Sequence, residues 1–245
     1  RDFCLSRGLG DVYKRQVLQH EWPGLYAPQF NWALDHCPIT TAWVLRLDAD
    51  EWFMPEALEE LKEKLPALPP DVTGVIHKRR HIFLGRWMKH GVYPVKLLRL
   101  FRHGAARCEQ RHMDEHMELS RGRAVEFEHD FVDENLNGLG WWAHKHVDYS
   151  ARELADLEDI LSSAAADSGI NGQAERKRAM KERYARQPLF WRSFAYFCYR
   201  YFLKLGFLDG REGFLWHFMQ GWWYRTLVDA RQFEKQKKGS GKTAR

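Results

Sequence analysis

A short, largely apolar run, Trp43-Val44-Leu45-Arg46-Leu47, stops abruptly against Asp48-Ala49-Asp50-Glu51. The run reads as a buried strand, and the carboxylates crowded at its end read as a turn that leaves a sheet. Open α/β sheets bind ligands at the carboxyl ends of their strands, so the position matters as much as the residue types. Two carboxylates one residue apart can hold a divalent cation directly and through water. Hard oxygen ligands suit Mg²⁺ or Mn²⁺, which then bridge to phosphate oxygens. The competing reading is an acidic turn that caps the following helix.

The pattern on either side supports an α/β chain. Residues 24–36 have the look of a short helix, with Phe30, Ala33 and Leu34 on one side. Pro55 at a first turn, then Glu56 and Leu58, Leu61 and Leu65 at helical spacing, predict a helix of about three turns ended by Pro66, Pro69 and Pro70. From Val72 to about Arg102 the pattern is strand-like, broken at Gly85 and Gly91. Residues 123–129 (RAVEFEH) alternate strictly, which puts Val125, Phe127 and His129 on one inward face. A helix is expected to follow Asn137-Gly138, then a basic helix over 174–186 and two aromatic stretches, 189–208 and 213–228.

Charge divides the chain. Residues 174–245 carry 17 Lys and Arg against 6 Asp and Glu, whereas residues 1–173 carry 21 against 27. An acidic body with a basic, aromatic tail suggests two jobs. The cysteines, Cys4, Cys37, Cys108 and Cys198, lie far apart, which argues against a zinc ribbon or a disulfide framework and suits a reducing compartment. No apolar signal segment is visible at the start. Residues 1–16 (RDFCLSRGLGDVYKRQ) look like translated sequencing-adapter sequence and are set aside as non-native, Gly8 and Gly10 included.

The segment Trp22 to Phe53 (WPGLYAPQFNWALDHCPITTAWVLRLDADEWF) resembles the family 2 glycosyltransferases of bacterial surface-polysaccharide and lipopolysaccharide-core synthesis. In that group a helix with an N-W-A-L or similar run precedes a strand ending in L-D-A-D-E. The resemblance implies that Asp48 and Asp50 bind the metal and the nucleotide diphosphate, with Glu51 supporting them. A paired acid follows downstream in the same family, and Met113-Asp114-Glu115-His116 is close to that pattern. Inverting sugar transfer needs a carboxylate to take the acceptor proton, so Asp114 or Glu115 is the expected base; the bland reading is a charged loop in solvent. A lone inward histidine is more often a core residue than a ligand, but the resemblance makes His129 a candidate for the metal or the diphosphate. Lys145, Tyr149 and Arg152 share one helix face. WWAHKHVDYSARE is similar to the family's W-x-K-H-x-x-Y-x-x-R-E run, which implies that Lys145 and Arg152 bind the departing diphosphate. An ordinary amphipathic helix is the alternative.

In the tail the aromatics are too closely packed for a nucleic-acid stacking platform, and Arg192, Arg200 and Lys204 interrupt any membrane span. An interfacial helix pair on an anionic membrane surface fits better, with packing onto the catalytic domain as the alternative. Gly206-Phe207-Leu208-Asp209-Gly210 also resembles a phrase of the family's tails. The expected organisation is therefore a GT-A-like α/β domain over 17–170, lacking its first strands, a helical membrane-associating extension over 171–234, and a disordered basic tail over 235–245. The expected activity is transfer from a nucleoside-diphosphate sugar to a lipid-linked glycan or lipopolysaccharide-core acceptor, on the cytoplasmic face of the inner membrane. A metal-dependent phosphotransferase or phosphodiesterase using Asp48, Asp50, Asp114 and His129, and a non-catalytic membrane adaptor, are the rivals.

Overall fold

A computed structural model describes residues 18–110, 115–162 and 172–240. Its chain order is α1 (Tyr26–His36), β1 (Trp43–Leu45), β2 (Glu51–Phe53), α2 (Pro55–Lys64), β3 (Val72–Phe83), β4 (Arg86–Trp87), β5 (Val95–Arg102), β6 (Ala106–Cys108), β7 (Met117–Leu119), β8 (Arg123–Glu126) and β9 (Phe131–Glu134). The helices α3 (Leu139–Ser162), α4 (Gly172–Ala185), α5 (Trp191–Cys198), α6 (Gly210–Trp216) and α7 (Tyr224–Ser240) follow. The result is a mixed α/β domain with a curled sheet and C-terminal helices, consistent with a GT-A-like domain.

The long strand β3 organises the sheet. It pairs antiparallel with β5 on one side, and parallel with β8 and then β9 on the other. The order β1-β5-β3-β9-β2 sets the two short strands around the acidic turn at opposite ends of that path. Val75, Leu100 and Phe127 form one core beneath it, with Trp43, Leu61 and Leu65 packed against them. In α2 the fully buried residues are Ala57 and Glu60, with Leu61 packed beside them, while Leu58 is exposed. α1 rests on the β6–β7 hairpin through Ala27, Phe30 and Leu34. Its Asn31 side chain donates to the Cys108 carbonyl and accepts the Cys108 N–H, both at 2.9 Å, as a neighbouring strand would.

The strand predicted over 123–129 ends at Glu126, and the chain turns away before His129. Antiparallel pairing of β9 with β2 sets Asp133 opposite Glu51 and Phe131 opposite Phe53. His129 therefore lies beyond the far end of β2 from the acidic turn, so the inward placement expected from alternation is overturned.

The C-terminal aromatics divide between core and surface. Trp216 packs with Phe83, Met88 and Trp142, and Tyr224 and Val228 pack with Leu157 and Ala185. Apolar packing thus joins the sheet, α3 and the tail, while Trp191, Phe202 and Phe207 stay exposed. Both aromatic helices widen into π-helical turns, at Tyr199–Leu203 and His217–Trp223. Polar contacts close the bundle. The Arg192 side chain, buried on α5, donates to Asp229, the Ala185 carbonyl and Gln232, each at 2.7 Å. The disordered tail expected over 235–245 is corrected in part, because α7 continues to Ser240, with Lys235 bonded to Glu158 at 2.7 Å. Residues 241–245 and the segment 1–16 lie outside the described residues; among the described residues no helix is long and apolar enough to cross a membrane.

Candidate functional site

Between β1 and β2 the chain makes one tight reversal, Asp48 to Glu51. The Glu51 N–H donates to the Asp48 carbonyl, and the Asp48 N–H donates to the Glu51 carboxylate, both at 3.0 Å. Glu51 is thereby consumed in holding the turn. Its carboxylate also pairs with the buried Arg99 guanidinium from β5, which reaches Asp48 at 3.6 Å. Burial raises the Glu51 carboxyl to about 7 against the pull of Arg99. Asp48 remains half exposed, with Arg46 Nε at 3.9 Å on its other side.

Asp50 is half-buried. Burial first, then the charges of Asp133 and Asp48, raise its carboxyl above the ordinary value, while Lys145 works against them. Asp133 is brought there by the β2–β9 register, and the Glu134 N–H donates to the Asp50 carbonyl at 3.0 Å. Burial would raise Asp133 as well, but a hydrogen bond from His81 and the charges of His81, Arg79 and Arg99 hold it below the usual carboxylate range. Arg79 lies 3.2 Å and His81 3.5 Å from its carboxylate.

Around this turn the fold gathers most of the residues singled out from sequence. Lys145 is within electrostatic reach of Asp50 and lies against the rings of Trp141 and Tyr149. Two helical turns on, the Arg152 guanidinium sits 5.6 Å from the Tyr26 ring and 5.9 Å from the Tyr149 ring. Arg152 Nη1 is buried with no hydrogen-bond partner among the described residues, an N–H ready for an anion. Burial, and then Tyr26, raise the Tyr149 hydroxyl, with the charge of Glu115 adding to them. Arg46 connects Glu115 to the turn, donating to its carbonyl at 3.4 Å while facing Asp48. Asp114 lies outside the described residues.

His129 is not brought to this place. Its ring nitrogen meets Glu60 at 2.9 Å and its N–H donates to the same carboxylate at 3.0 Å. Among the described residues no group of three His, Cys, Asp or Glu side chains is arranged to hold a metal between them, so the expected set Asp48, Asp50 and His129 does not assemble. A hard cation that keeps its waters and rests on substrate phosphates asks for one or two carboxylates only. Asp48, open to solvent, and Asp50 beside it meet that requirement.

Sequence reading missed Arg99, Arg79, His81 and Asp133. Arg99 had a signal, since a cation between Leu98 and Leu100 in an apolar strand needs a buried partner. Asp133 had none, because only the pairing of β9 with β2 brings it to the turn. Residues 11–123, a stretch that includes the acidic turn, match the family model described as Glycosyl transferase family 2, and the match supports a family 2 glycosyltransferase.

Proposed function

We propose that the chain transfers a sugar from a nucleoside-diphosphate donor to a hydroxyl of a lipid-linked glycan or lipopolysaccharide-core acceptor, in a single inverting displacement. The observation that carries this reading is the acidic turn at the end of β1, with Asp48 presented to solvent and Lys145 within electrostatic reach of Asp50. Asp48 and Asp50 would hold Mn²⁺ or Mg²⁺, which supplies positive charge against the diphosphate when bound. Lys145 and the Arg152 N–H that has no hydrogen-bond partner among the described residues take the remaining negative charge as the diphosphate leaves. Glu51 and Arg99 keep the turn in shape without touching substrate.

The acceptor oxygen attacks the anomeric carbon as the bond to the diphosphate oxygen breaks, and that bond's electron pair leaves with the diphosphate. The acceptor proton goes to a carboxylate, Glu115 or its neighbour Asp114. A lipid-linked acceptor places the reaction at a membrane surface, on the cytoplasmic face of the inner membrane where nucleotide sugars are at hand.

Calorimetric titration of a panel of nucleoside diphosphates, with and without Mn²⁺, tests the donor site. Metal-dependent binding is expected, weakened at least about tenfold in Asp50→Ala. Binding of equal strength without metal, or unchanged in Asp50→Ala, would overturn the assignment.

A further inference from the structure

The connection between the two aromatic helices turns its apolar side outward. Phe202, Leu203, Leu205, Phe207 and Leu208 are all exposed, Leu203 to 76%. Phe214 on α6 joins them, because the Tyr201 ring lies 5.1, 6.2 and 5.8 Å from those of Phe202, Phe207 and Phe214. Scattered exposed apolar residues are ordinary on a protein surface, whereas a contiguous set of this size marks an interaction site.

The connection is held firmly from beneath. The Asp209 carboxylate is buried and accepts the His90 N–H at 2.8 Å and meets the His90 ring at 2.6 Å. Gly206 packs so closely on the His217 ring and the Arg200 carbonyl that a side chain there would collide with both. Leu205 is left-handed, with φ of +60°, a conformation that costs a non-glycine residue about 1–2 kcal/mol. Buried polar contacts and a strained residue thus fix a base from which phenylalanines and leucines project.

Charge identifies what covers them. Lys204 and Arg211 are exposed beside the apolar tip, Lys204 lying 5.8 Å from the Tyr199 ring. Arg211 lines a recess of about 540 Å³ with Tyr201, Phe207, Phe214 and Leu215. The acids of the same stretch are withdrawn, Asp209 into its pair with His90 and Glu212 toward Arg86 at 3.5 Å. By contrast, Lys181 on α4 and Lys235 and Lys238 on α7 are each engaged by a carboxylate of the protein. Apolar tip, aromatic rim and free cations follow the polarity gradient of one leaflet.

We propose that residues 199–214 form a wedge that enters the headgroup and outer acyl region of an anionic phospholipid bilayer. Phe202, Leu203, Phe207 and Leu208 enter the apolar layer, and Lys204 and Arg211 meet the lipid phosphates. The wedge rests on the proposed transfer reaction only for its purpose, which is to bring a lipid-linked acceptor to the acidic turn. α6 serves both ends: Phe214 belongs to the wedge, while Trp216 packs 4.1 Å from the ring of His81, the partner of Asp133.

The test is cosedimentation of the full chain with phosphatidylcholine vesicles and with mixed phosphatidylcholine–phosphatidylglycerol vesicles. The unmodified chain is expected to prefer the anionic vesicles. Phe202→Ser/Leu203→Ser/Leu208→Ser is expected to lose at least about tenfold in binding with an unchanged melting temperature, these side chains being exposed already. Lys204→Gln/Arg211→Gln should lose the anionic preference, and Lys235→Gln/Lys237→Gln/Lys238→Gln should bind as the unmodified chain does. Equal binding by the serine variant, loss confined to the tail variant, or no vesicle binding with self-association abolished by the serines would each overturn the wedge. Nucleoside-diphosphate titration of the unmodified chain separates the two readings. Nucleotide binding by an unmodified chain that ignores both kinds of vesicle condemns the wedge alone, and vesicle binding by a chain that takes no nucleoside diphosphate condemns the transferase assignment alone.

Discussion

Glu60 is a buried carboxylate whose whole purpose is to receive hydrogen bonds, and replacing it with glutamine exposes how much that is worth. It accepts from the Glu128 N–H at 2.9 Å, the His129 N–H at 3.0 Å and Lys64 at 2.8 Å, and it meets the His129 ring at 2.9 Å. Burial alone would raise its carboxyl, but these donors outweigh that and push it down to about 2 from an ordinary 4.5. That difference corresponds to about 3 kcal/mol of folding stability. The folded-state value is the lower one, so the contribution is complete above the unfolded value of 4.5 and fades as pH falls toward 2. Glu60→Gln keeps the volume but turns an amide N–H toward groups that are already donors. Urea unfolding should show a loss of about 3 kcal/mol at pH 7 that shrinks to about 1 kcal/mol at pH 3. A penalty independent of pH, or below about 1 kcal/mol at pH 7, would refute the reasoning.

Two further substitutions probe the interior. Asp229→Ala leaves the Arg192 guanidinium buried beside nothing but neutral acceptors, and calorimetric or urea unfolding should register a loss of about 3–5 kcal/mol. The double change Arg192→Met/Asp229→Leu should cost less, and an equal or larger cost would count against the ion-pair account. His77 is fully buried, neither ring nitrogen has a hydrogen-bond partner among the described residues, and burial lowers its ring to about 4. The unfolded chain therefore takes up this proton first as pH falls below 6.5, and the fold loses up to about 3 kcal/mol by pH 4. His77→Leu should remove that contribution, so melting temperatures at pH 7 and pH 5 should differ less than in the unmodified chain; an unchanged difference would contradict it.

The junction at Leu47 and Asp48 was legible because local rules decide it: an apolar strand must end, and carboxylates cannot follow it inward. The helix at Pro55 and the helix after Gly138 were legible for the same reason, a first-turn signal followed by helical spacing. His129 shows where local rules fail. Alternation through RAVEFEH is a true period, yet Glu60 on α2 captures the backbone at Glu128 and His129 and turns the chain out of the sheet. In α2 the leucine spacing marked the helix, and Leu61 and Leu65 do pack on the core, but nothing in that spacing announced the buried Glu60. Arg99 and Asp133 depend on strand order and register, which one sequence does not display. The tail was half legible: its aromatic density announced burial or contact, but which ring did which was set by two π-helical turns that shift the helical face.

The packing of Trp142 on α3 against Trp216 and Trp223 of the tail has a consequence for how such a chain can be inherited. A boundary near residue 170 looks like a seam between modules, but apolar side chains interlock across it. Removing everything after residue 186 would bare Trp142, Leu157, Phe83 and Met88 together, so the shortened chain would report a broken core rather than a missing membrane contact. Recombination that swapped the tail alone would meet the same obstacle. The catalytic half and its tail must therefore travel as one heritable unit, changing together at the tryptophans where they meet.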